Sequence, residues 1–441
     1  MRVFFTILAC KILHFIGHLI GRGSSIPGEI ALKLCPNILG RVKLPEMIIA
    51  VTGSNGKTST VEMIAHILQK EGKSVIWNKE GSNQIAGVTT VILNNSTLGG
   101  RVKADILLLE SDERYSKFTF KYFAPTHYVI TNLYRDPLTR NGHPEWVYEA
   151  IRESISDKSA LILNADDPLV SLYGKDKPNV VWFGMDKQSF STAENTSVYD
   201  DGVFCPNCKK RMKYEYRHYN HIGSYLCPAC GHKKQSTDYT VTEADLDNGV
   251  ISVNGKYKIT LSFKSIYNVY NILACFSVCD LVGIAPEQIA EDISDYVLKN
   301  GRIVQYSLVN SDGTFLVSKH ENSISYNQSI RYIISQNKPC GVIIIVDSVS
   351  RRYSTGEVSW LWDIDFELLN SDCVERIYLL GAHADDLETR FSYTDIPSEK
   401  ISVIPEIDEA VDIIISKRHK KLYTVTCFSD KEKFLSKVTI K

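Results

Sequence analysis

The stretch Met47 to Lys70 reads MIIAVTGSNGKTSTVEMIAHILQK, which is an apolar run, a glycine-bounded loop and a helix-patterned segment. This pattern predicts a nucleotide-binding loop, because glycines let backbone amides turn onto phosphate oxygens and the helix offers the positive end of its dipole. We expect Lys57 to reach the β- and γ-phosphates of ATP and the Thr58 hydroxyl to hold Mg²⁺. The predicted ATP-binding loop also includes Gly53, Asn55, Gly56 and Ser59.

The glycine spacing is shorter than in the general P-loop pattern, because Val51 stands where that pattern has its first glycine. An ordinary strand-to-helix turn is the alternative interpretation of such a short match. The position of Gly-Lys-Thr between a strand pattern and a helix pattern favours the nucleotide loop.

Length and composition set the class of protein. A chain of 441 residues predicts two or three domains. A hydrophobic content of 44% and a charged content of 23% are typical of globular proteins. A formal net charge of -1 gives no electrostatic reason to expect a nucleic-acid partner.

Two Cys-Pro-x-Cys pairs stand out among eleven cysteines. Four thiolates at this spacing fit a zinc ribbon, in which they complete a closed tetrahedral Zn²⁺ shell. A closed coordination shell predicts that the Zn²⁺ ion has a structural role. A redox site is the alternative, but it would not need two Cys-x-x-Cys pairs. The other cysteines are scattered, which is cytosolic usage. The predicted zinc ligands are Cys205, Cys208, Cys227 and Cys230.

The segment Val3 to Ile20 is rich in Phe, Ile and Leu. Lys11, His14 and His18 interrupt it at helical spacing, which predicts a helix with one polar face and argues against a signal peptide. We expect this helix to pack on the protein, and contact with the bilayer surface is the open alternative.

Strand and helix patterns alternate along both halves of the chain, which predicts α/β domains with parallel sheets covered on both faces. We expect an N-terminal helical segment and linker at 1–45, a central ATP-binding domain at 46–300 with the zinc ribbon inserted at about 200–236, and a Rossmann-like α/β domain at 301–441. The predicted strands include Ser74 to Trp77, Ala104 to Glu110, His127 to Thr131, Leu161 to Leu163, Thr314 to Val317, Gly341 to Val346, Arg376 to Leu380, Ser402 to Ile404 and Lys421 to Thr426.

Glu110 ends a predicted strand, at the carboxyl edge where doubly wound sheets place ligands. We predict that Glu110 is a second residue linked to Mg²⁺ and catalysis. The alternative is a solvated acid at the end of a strand.

The nucleotide loop and several further motifs carry a family resemblance. The chain resembles the Mur ligase superfamily over nearly its whole length. Within that superfamily it resembles the MurT family of synthetase subunits, with which it shares the zinc knuckles. The other matching motifs are SSIPG at 24–28, Ala31-Leu32, Cys35-Pro36, YNVYN at 267–271 and SWLWD at 359–363.

The resemblance implies a peptidoglycan-forming ligase that works in the cytoplasm or at the inner face of the plasma membrane. ATP activates the α-carboxylate of D-glutamate in lipid II as an acyl phosphate, and ammonia converts it to D-isoglutamine. A partner glutaminase of the GatD type supplies the ammonia. No Cys-His glutaminase signature stands out in this chain, which agrees with a separate partner.

The same resemblance implies several site residues. Asp112 and Glu113 are similar to an acidic cluster of the family, Asn268 to an ATP-binding residue, and Arg302 to a residue that reaches the nucleotide phosphates. By themselves, Asn268 with Asn271 would be a helix-capping or core pair and Arg302 a surface arginine. The implied residues on the substrate side are Ser82, Asn83, Asn132 and Asp136.

In the C-terminal domain, the resemblance implies a carboxylate that completes the partner's Cys-His pair. Asp363, Asp365 and Glu357 are candidates, and the sequence does not choose between them. If the segment is a strand, Trp360 and Trp362 share a face and either anchor the partner or belong to the core.

One segment departs from the family pattern. Family members commonly have Lys-Asn-Pro-Ala-Gly-x-Asn where this chain has ENSISYN at 321–327, so only Asn322 and Asn327 are retained. The change motivates one alternative, a non-catalytic nucleotide-binding scaffold. A second alternative is a Mur-like ligase for another carboxylate, such as a folate or an amino-acid polymer, against which the zinc ribbon and the Trp motif argue.

Overall fold

The computed structural model describes residues 1–19, 24–79, 82–135, 142–297, 303–318, 322–347, 357–427 and 430–441. The chain forms two compact units. The first consists of 1–135, 143–196 and 200–298, and the second of 136–142, 197–199 and 299–441.

The first unit is built around a nine-stranded sheet of order β11-β10-β9-β6-β5-β4-β1-β3-β2. Its helices are α1 Arg2–Leu19, α2 Ile26–Leu34, α3 Lys57–Lys70, α4 Ile85–Asn94, α5 Ser116–Phe120, α6 Pro144–Arg152, α7 Ile266–Leu281 and α8 Pro286–Ser294. Its strands are β1 Met47–Thr52, β2 Val75–Trp77, β3 Ile106–Glu110, β4 His127–Ile130, β5 Ala160–Asn164, β6 Val180–Met185, β7 Lys213–Tyr219, β8 Ile222–Leu226, β9 Tyr239–Asp245, β10 Val250–Val253 and β11 Tyr257–Thr260.

Strands β1 to β6 and β9 pair in parallel, and β10 and β11 extend the sheet in antiparallel fashion. Strand β3 reads Ile-Leu-Leu-Leu-Glu and is buried at every position, as expected where helices cover both faces. The predicted α/β fold with a parallel sheet is confirmed. Strand β1 lies between β3 and β4, so the nucleotide loop that follows it leaves the middle of the sheet.

The cysteine-rich insertion lies between β6 and β9 in the chain. It contains the antiparallel pair β7 and β8, which forms a two-stranded sheet separate from the main one. The four cysteines of the predicted ribbon flank this hairpin in sequence, two before it and two after it.

The second unit contains a seven-stranded sheet of order β16-β15-β14-β17-β13-β12-β18. Strands β13 to β17 pair in parallel. Strand β12 is antiparallel to its neighbours β13 and β18, and the sequence did not predict β12 or β18. The strands are β12 Ile303–Leu308, β13 Ser311–Ser318, β14 Cys340–Ile345, β15 Val374–Leu380, β16 Ile401–Ile404, β17 Lys421–Cys427 and β18 Thr439–Ile440, and the helices are α9 Ser323–Ser335, α10 Ala384–Phe391, α11 Ile407–Lys417 and α12 Lys431–Leu435.

The tryptophan motif differs from its predicted form. Ser359–Asp363 is a short 3₁₀ helix and not a strand. A 3₁₀ helix advances by about 120° per residue, so residues two apart point in different directions. Trp360 is buried against Tyr326, while Trp362 is 46% exposed and packs on Tyr393. Because the segment is not a strand, the condition under which both tryptophans would share a face is not met, and Trp360 is the one that belongs to the core.

Helix α1 is present where the sequence predicts it, and its orientation is informative. The Lys11 ammonium bonds to the carbonyl of Asn94 on α4, and His14 and His18 line a cleft beside β2. Lys11 and His14 are therefore partly buried against the protein, His18 is exposed beside the cleft, and much of the apolar side of the helix is exposed.

Candidate active site

The loop after β1 requires its two glycines. Gly53 has φ +131° and Gly56 has φ +87°, a region that side chains with a Cβ rarely adopt. A Cβ on Gly53 would lie 2.2 Å from Oγ1 of Thr131, and one on Gly56 would lie 2.0 Å from Oδ1 of Asn271. The loop is thus held close to its neighbours, and α3 begins directly at Lys57.

Lys57 is buried at the base of this loop. Its ammonium donates to the carbonyl of Gly53 at 2.5 Å and pairs with the carboxylate of Glu113. The side chains of Lys57 and Glu113 are only 5% and 1% exposed. The acidic residue Glu113, which follows β3, therefore holds the lysine at the base of the loop.

Thr58 and Glu110, the two residues predicted to hold Mg²⁺, lie in contact. The Thr58 hydroxyl donates to Oε2 of Glu110 at 2.8 Å, and the amide of Asn83 donates to Oε1 at 3.2 Å. A hydroxyl and a carboxylate side by side are the hard oxygen donors that Mg²⁺ prefers, so these residues fit the ion.

Asn78, which the sequence analysis did not identify, fixes the backbone of Glu110. Its Oδ1 accepts from the amide of Glu110 at 2.8 Å, and its Nδ2 donates to the carbonyl of Glu110 at 2.8 Å. Asn78 directly follows β2, whose carboxyl end lies beside that of β3. The rule that ligands bind at the carboxyl edge of a parallel sheet could have identified Asn78 from the sequence.

Asn132 supports the loop from the neighbouring strand. Its Oδ1 accepts from the amide of Asn55 at 2.9 Å, its Nδ2 donates to the carbonyl of Asn55 at 3.1 Å, and its own carbonyl accepts from the amide of Ser54. Both ends of the side chain are thus used by the nucleotide loop. Asn132 therefore supports the loop, and its predicted place on the substrate side stays a prediction.

Of the two asparagines on α7, Asn271 is the one beside the loop, next to Gly56. Asn268 is buried, and its amide donates to the carbonyl of Phe263 at 3.1 Å. Asn268 stays a predicted ATP residue, and Asn271 is the α7 side chain that the geometry adds.

Of the other residues predicted on the substrate side, Ser82 lies within the described part of the chain and Asp136 does not. The hydroxyl of Ser82 bonds to that of Ser25, and Ser82 lines an open cleft of about 290 Å³ together with His14 and His18. Asp136 and Arg302, like Gly81, lie outside the described residues.

The four ribbon cysteines converge. Their sulfur atoms all lie within 4.8 Å of one another, with 3.7 Å between Cys205 and Cys230 and 3.4 Å between Cys208 and Cys227. Four sulfurs around Zn²⁺ at about 2.3 Å would be about 3.8 Å apart in a tetrahedron. The cluster can therefore hold a metal ion, and its distances fit zinc.

A tyrosine pair links the ribbon hairpin to the nucleotide loop. The Tyr134 hydroxyl donates to that of Tyr219 on β7 at 2.7 Å, and the backbone amide of Tyr134 donates to the hydroxyl of Ser54 in the loop at 2.9 Å. Burial, together with Tyr219, raises the pKa of Tyr134 well above its ordinary value, so the phenol stays protonated and can donate.

A histidine next to the hairpin reinforces this link. His221 lies 3.6 Å from Asp167, which also accepts from the amide of Leu133. Burial alone lowers the pKa of His221, but the hydrogen bond and the charge of Asp167 outweigh it, so the net pKa is raised.

In the second unit, the three candidate acids have different surroundings. Asp365 is 1% exposed, and its carboxylate accepts from the amide of Val198 at 2.9 Å and pairs with Arg331 at 3.1 Å. Burial raises the pKa of Asp365. Glu357 accepts from the amide of Ser359. Asp363 and Glu357 are both partly exposed.

The two retained asparagines of the divergent segment have structural contacts. Asn322 is the N-cap of α9, and its Oδ1 accepts from the amide of Ser325 at 2.8 Å. Asn327 is fully buried, and its Oδ1 accepts from the amide of Asp365 at 2.7 Å. These bonds connect the start of α9 to the loop after the tryptophan motif.

Comparison with known proteins agrees with this architecture. The Mur ligase middle domain model matches residues 51–279, and the MurT ligase C-terminal model matches residues 320–430. The lipid II isoglutaminyl synthase (glutamine-hydrolyzing) subunit MurT of Staphylococcus aureus (strain COL) is 29% identical over 88% of this chain and 86% of its own length. The MurT subunit of Streptococcus pneumoniae (strain R6) is 28% identical over 96% of this chain and 94% of its own length.

Solved structures share the fold. A pseudomurein peptide ligase type C from Methanothermus fervidus has a TM-score of 0.68 at 20% identity and covers 90% of this chain and 79% of its own. The MurF ligase from Thermotoga maritima in complex with ADP has a TM-score of 0.59 at 15% identity, and it covers 93% of this chain and 83% of its own. The family models and the relatives agree, and the chain belongs to the Mur ligase family, with a C-terminal domain of the MurT type.

Proposed function

We propose that this ligase is a MurT-type synthetase subunit, which uses ATP to amidate the α-carboxylate of D-glutamate in lipid II. The observation that carries the proposal is the convergence of Lys57, Thr58 and Glu110 at the carboxyl edge of the nine-stranded sheet. The names of the MurT relatives, which align with most of this chain, support the substrate.

The site has the parts that phosphoryl transfer needs. Lys57 would exchange its bond with Glu113 for the β- and γ-phosphates of ATP. Thr58 and Glu110 would hold Mg²⁺, which supplies positive charge to the phosphates when bound. Asn78 fixes the backbone of Glu110, and Asn83 holds its carboxylate, through the bonds described above.

The reaction proceeds in two displacements. A carboxylate oxygen of D-glutamate attacks the γ-phosphorus, the bond to the β,γ-bridging oxygen breaks, and ADP leaves. Ammonia then attacks the carbonyl carbon of the acyl phosphate. The carbon–oxygen bond breaks, inorganic phosphate leaves, and the nitrogen loses a proton to give the amide.

The ammonia would come from a partner glutaminase of the GatD type. The named relatives are subunits of a glutamine-hydrolyzing enzyme, which supports a partner for this chain. Asp363 is our candidate for the acid that orients the partner's catalytic histidine, because Asp365 is committed to Val198 and Arg331.

The cysteine cluster would hold a structural Zn²⁺, because four thiolates leave no open coordination position for substrate. We place the enzyme in the cytoplasm at the inner face of the plasma membrane, where a lipid-linked precursor is presented.

The test compares two nitrogen sources. The purified chain with ATP, Mg²⁺, lipid II and ammonium chloride should release ADP and form amidated lipid II without a partner. With glutamine in place of ammonium, the same product should form only when the glutaminase is added. Lys57→Ala should abolish both reactions, and Lys73→Ala, an exposed lysine just after α3, should affect neither.

Two outcomes would overturn the proposal. ATP binding without ADP release, with ammonium and lipid II present, would identify a non-catalytic scaffold. ADP release that depends on a different carboxylate and not on lipid II would identify a ligase with another acceptor.

A further inference from the structure

Helix α1 exposes a broad apolar face. Residues that recur every three or four positions share one side of a helix, and the exposed residues here span an arc of about 120° at 100° per residue. The opposite side buries Ile7 and Cys10 completely. The exposed apolar side chains are Phe4, Phe5, Ile12, Phe15, Ile16 and Leu19.

Lys11, His14 and His18 of α1 lie beside the exposed apolar face and not within it, with Lys11 and His14 partly buried and His18 exposed. Lys11 bonds to the carbonyl of Asn94, and His14 and His18 line the cleft that also contains Trp77 and Asn78. A surface helix in water normally turns its charged residues outward and its apolar stripe inward. An exposed helix face that contains only apolar side chains is the pattern expected if that face contacts an apolar environment.

The charges around the helix identify that environment. Residues 1–28 contain three basic side chains and no acidic one. Gly100 packs on Val3 near the start of α1, and in the segments 41–46 and 100–105 beside this contact four exposed basic residues outnumber the exposed acids Glu46 and Asp105. The basic residues are Arg41, Lys43, Arg101 and Lys103, and the backbones of Lys43 and Arg101 are paired. Basic residues beside an apolar face match the surface of an anionic bilayer.

We propose that the outer face of α1 lies in the interfacial layer of an anionic phospholipid bilayer. By length and composition α1 could also cross a membrane. Its inner side, however, packs on α2 and α4, so lipid cannot surround it, and it lies along the surface. The role of this surface rests on the proposed function, because docking brings the ligase to a lipid-linked substrate.

The test measures the binding of the full chain to vesicles in the absence of ATP and lipid II. Vesicles of phosphatidylglycerol and phosphatidylcholine should bind the wild type, and pure phosphatidylcholine vesicles should bind it more weakly. Phe15→Glu/Leu19→Glu changes two side chains that are 70% and 76% exposed, and it should weaken binding about tenfold or more. Trp146→Glu, on α6 and 69% exposed, is the matched control and should bind normally.

A second variant reports the geometry directly. Phe15→Trp keeps the face apolar, and brominated lipids should quench its added fluorescence when anionic vesicles are present. Lys43→Glu/Arg101→Glu should reduce binding and its dependence on salt. Equal melting temperatures would show that the variants are folded.

Several results would overturn the inference. One is a wild type that does not bind anionic vesicles, and another is a Phe15→Glu/Leu19→Glu protein that binds as well as Trp146→Glu. A third is a wild-type dimer without vesicle binding that Phe15→Glu/Leu19→Glu converts to a monomer, which would assign the face to a second copy. Because no nucleotide or substrate is present, none of these results depends on the ligase reaction.

Discussion

The carboxyl edges of the two sheets use their polar side chains differently. In the first unit, Lys57, Thr58 and Glu110 approach one another in a cluster suited to phosphate and a cation. In the second unit, the Asn327 side chain accepts from the backbone amide of Asp365, and the Asp365 carboxylate pairs with Arg331, so these groups hold the fold together. Under the proposed function, the nucleotide chemistry resides in the first unit, and the second unit supplies the groups that contact the partner.

This difference follows from the distance in sequence between the residues that form each arrangement. A strand, a glycine loop and a helix that are consecutive in the chain place Lys57 and Thr58 at the phosphate position almost by themselves. In the second unit, the role of Asp365 depends on Arg331 and Val198, which are distant in sequence. The following variants test whether the division of roles between the two units holds.

The largest effect is expected from Lys57→Ala. The change removes the charge that would neutralise the γ-phosphate, and we expect kcat/KM for ATP to fall by about a thousandfold. ADP release with ammonium as the nitrogen source measures this, with Lys73→Ala as the control. A loss smaller than about tenfold would break the comparison, because the first unit would then not carry the phosphoryl transfer.

Removal of the metal should have the next largest effect. Cys227 is fully buried, and Cys227→Ser should abolish the binding of one metal ion per chain and unfold the ribbon. Because the hairpin supports the nucleotide loop through Tyr134 and Tyr219, the affinity for ATP should also fall. Elemental analysis and nucleotide titration measure both effects. Cys373→Ser, a buried cysteine of the second unit, should retain the metal.

Asp363→Asn sharpens the role assigned to the second unit. If Asp363 orients the partner's histidine, glutamine-driven amidation should fall roughly a hundredfold, because a wrongly oriented histidine is a poor base. Ammonium-driven amidation should be unchanged, because that reaction needs no glutaminase. A parallel loss of both reactions would instead place Asp363 in the ligase site. Measuring both rates with the same protein preparation separates the two roles.

Tyr219→Phe should have a smaller effect. The change removes one buried hydrogen bond, worth about 1 kcal/mol, between the ribbon hairpin and the loop that holds Ser54. We expect KM for ATP to rise about fivefold while kcat changes little, because the loop is loosened and the reacting groups remain. Tyr214→Phe is the matched control, because the Tyr214 hydroxyl has no hydrogen-bond partner among the described residues.

The sequence predicted what depends on local pattern. It identified the parallel sheets and the loop with Lys57 and Thr58. It also identified the convergence of the four cysteines, which form two close pairs separated in the chain. It did not predict Asn78 or Tyr134, because each acts through a neighbour that only the folded sheet supplies. The polar face of α1 was predicted from its spacing, but spacing does not specify which side faces the protein.

The C-terminal unit shows the limit of pattern most clearly. Two tryptophans separated by one residue were expected to share a face, and a 3₁₀ helix separates them. Whether such a short segment forms a strand or a 3₁₀ helix depends on its packing against Tyr326 and Tyr393, which the local sequence does not encode.

The smallest effect is expected from Asn322→Ala, which tests whether the retained asparagines are structural. Loss of the N-cap of α9 should cost about 1 kcal/mol and lower the apparent melting temperature by about 2–4 °C. KM for ATP should not change, and Asn322→Ser should restore stability, because a serine can also cap the helix. If KM for ATP rises in Asn322→Ala and Asn322→Ser does not restore it, the α9 loop contacts the nucleotide. The divergent segment would then belong to the active site, and the division between the two sheet edges would fail.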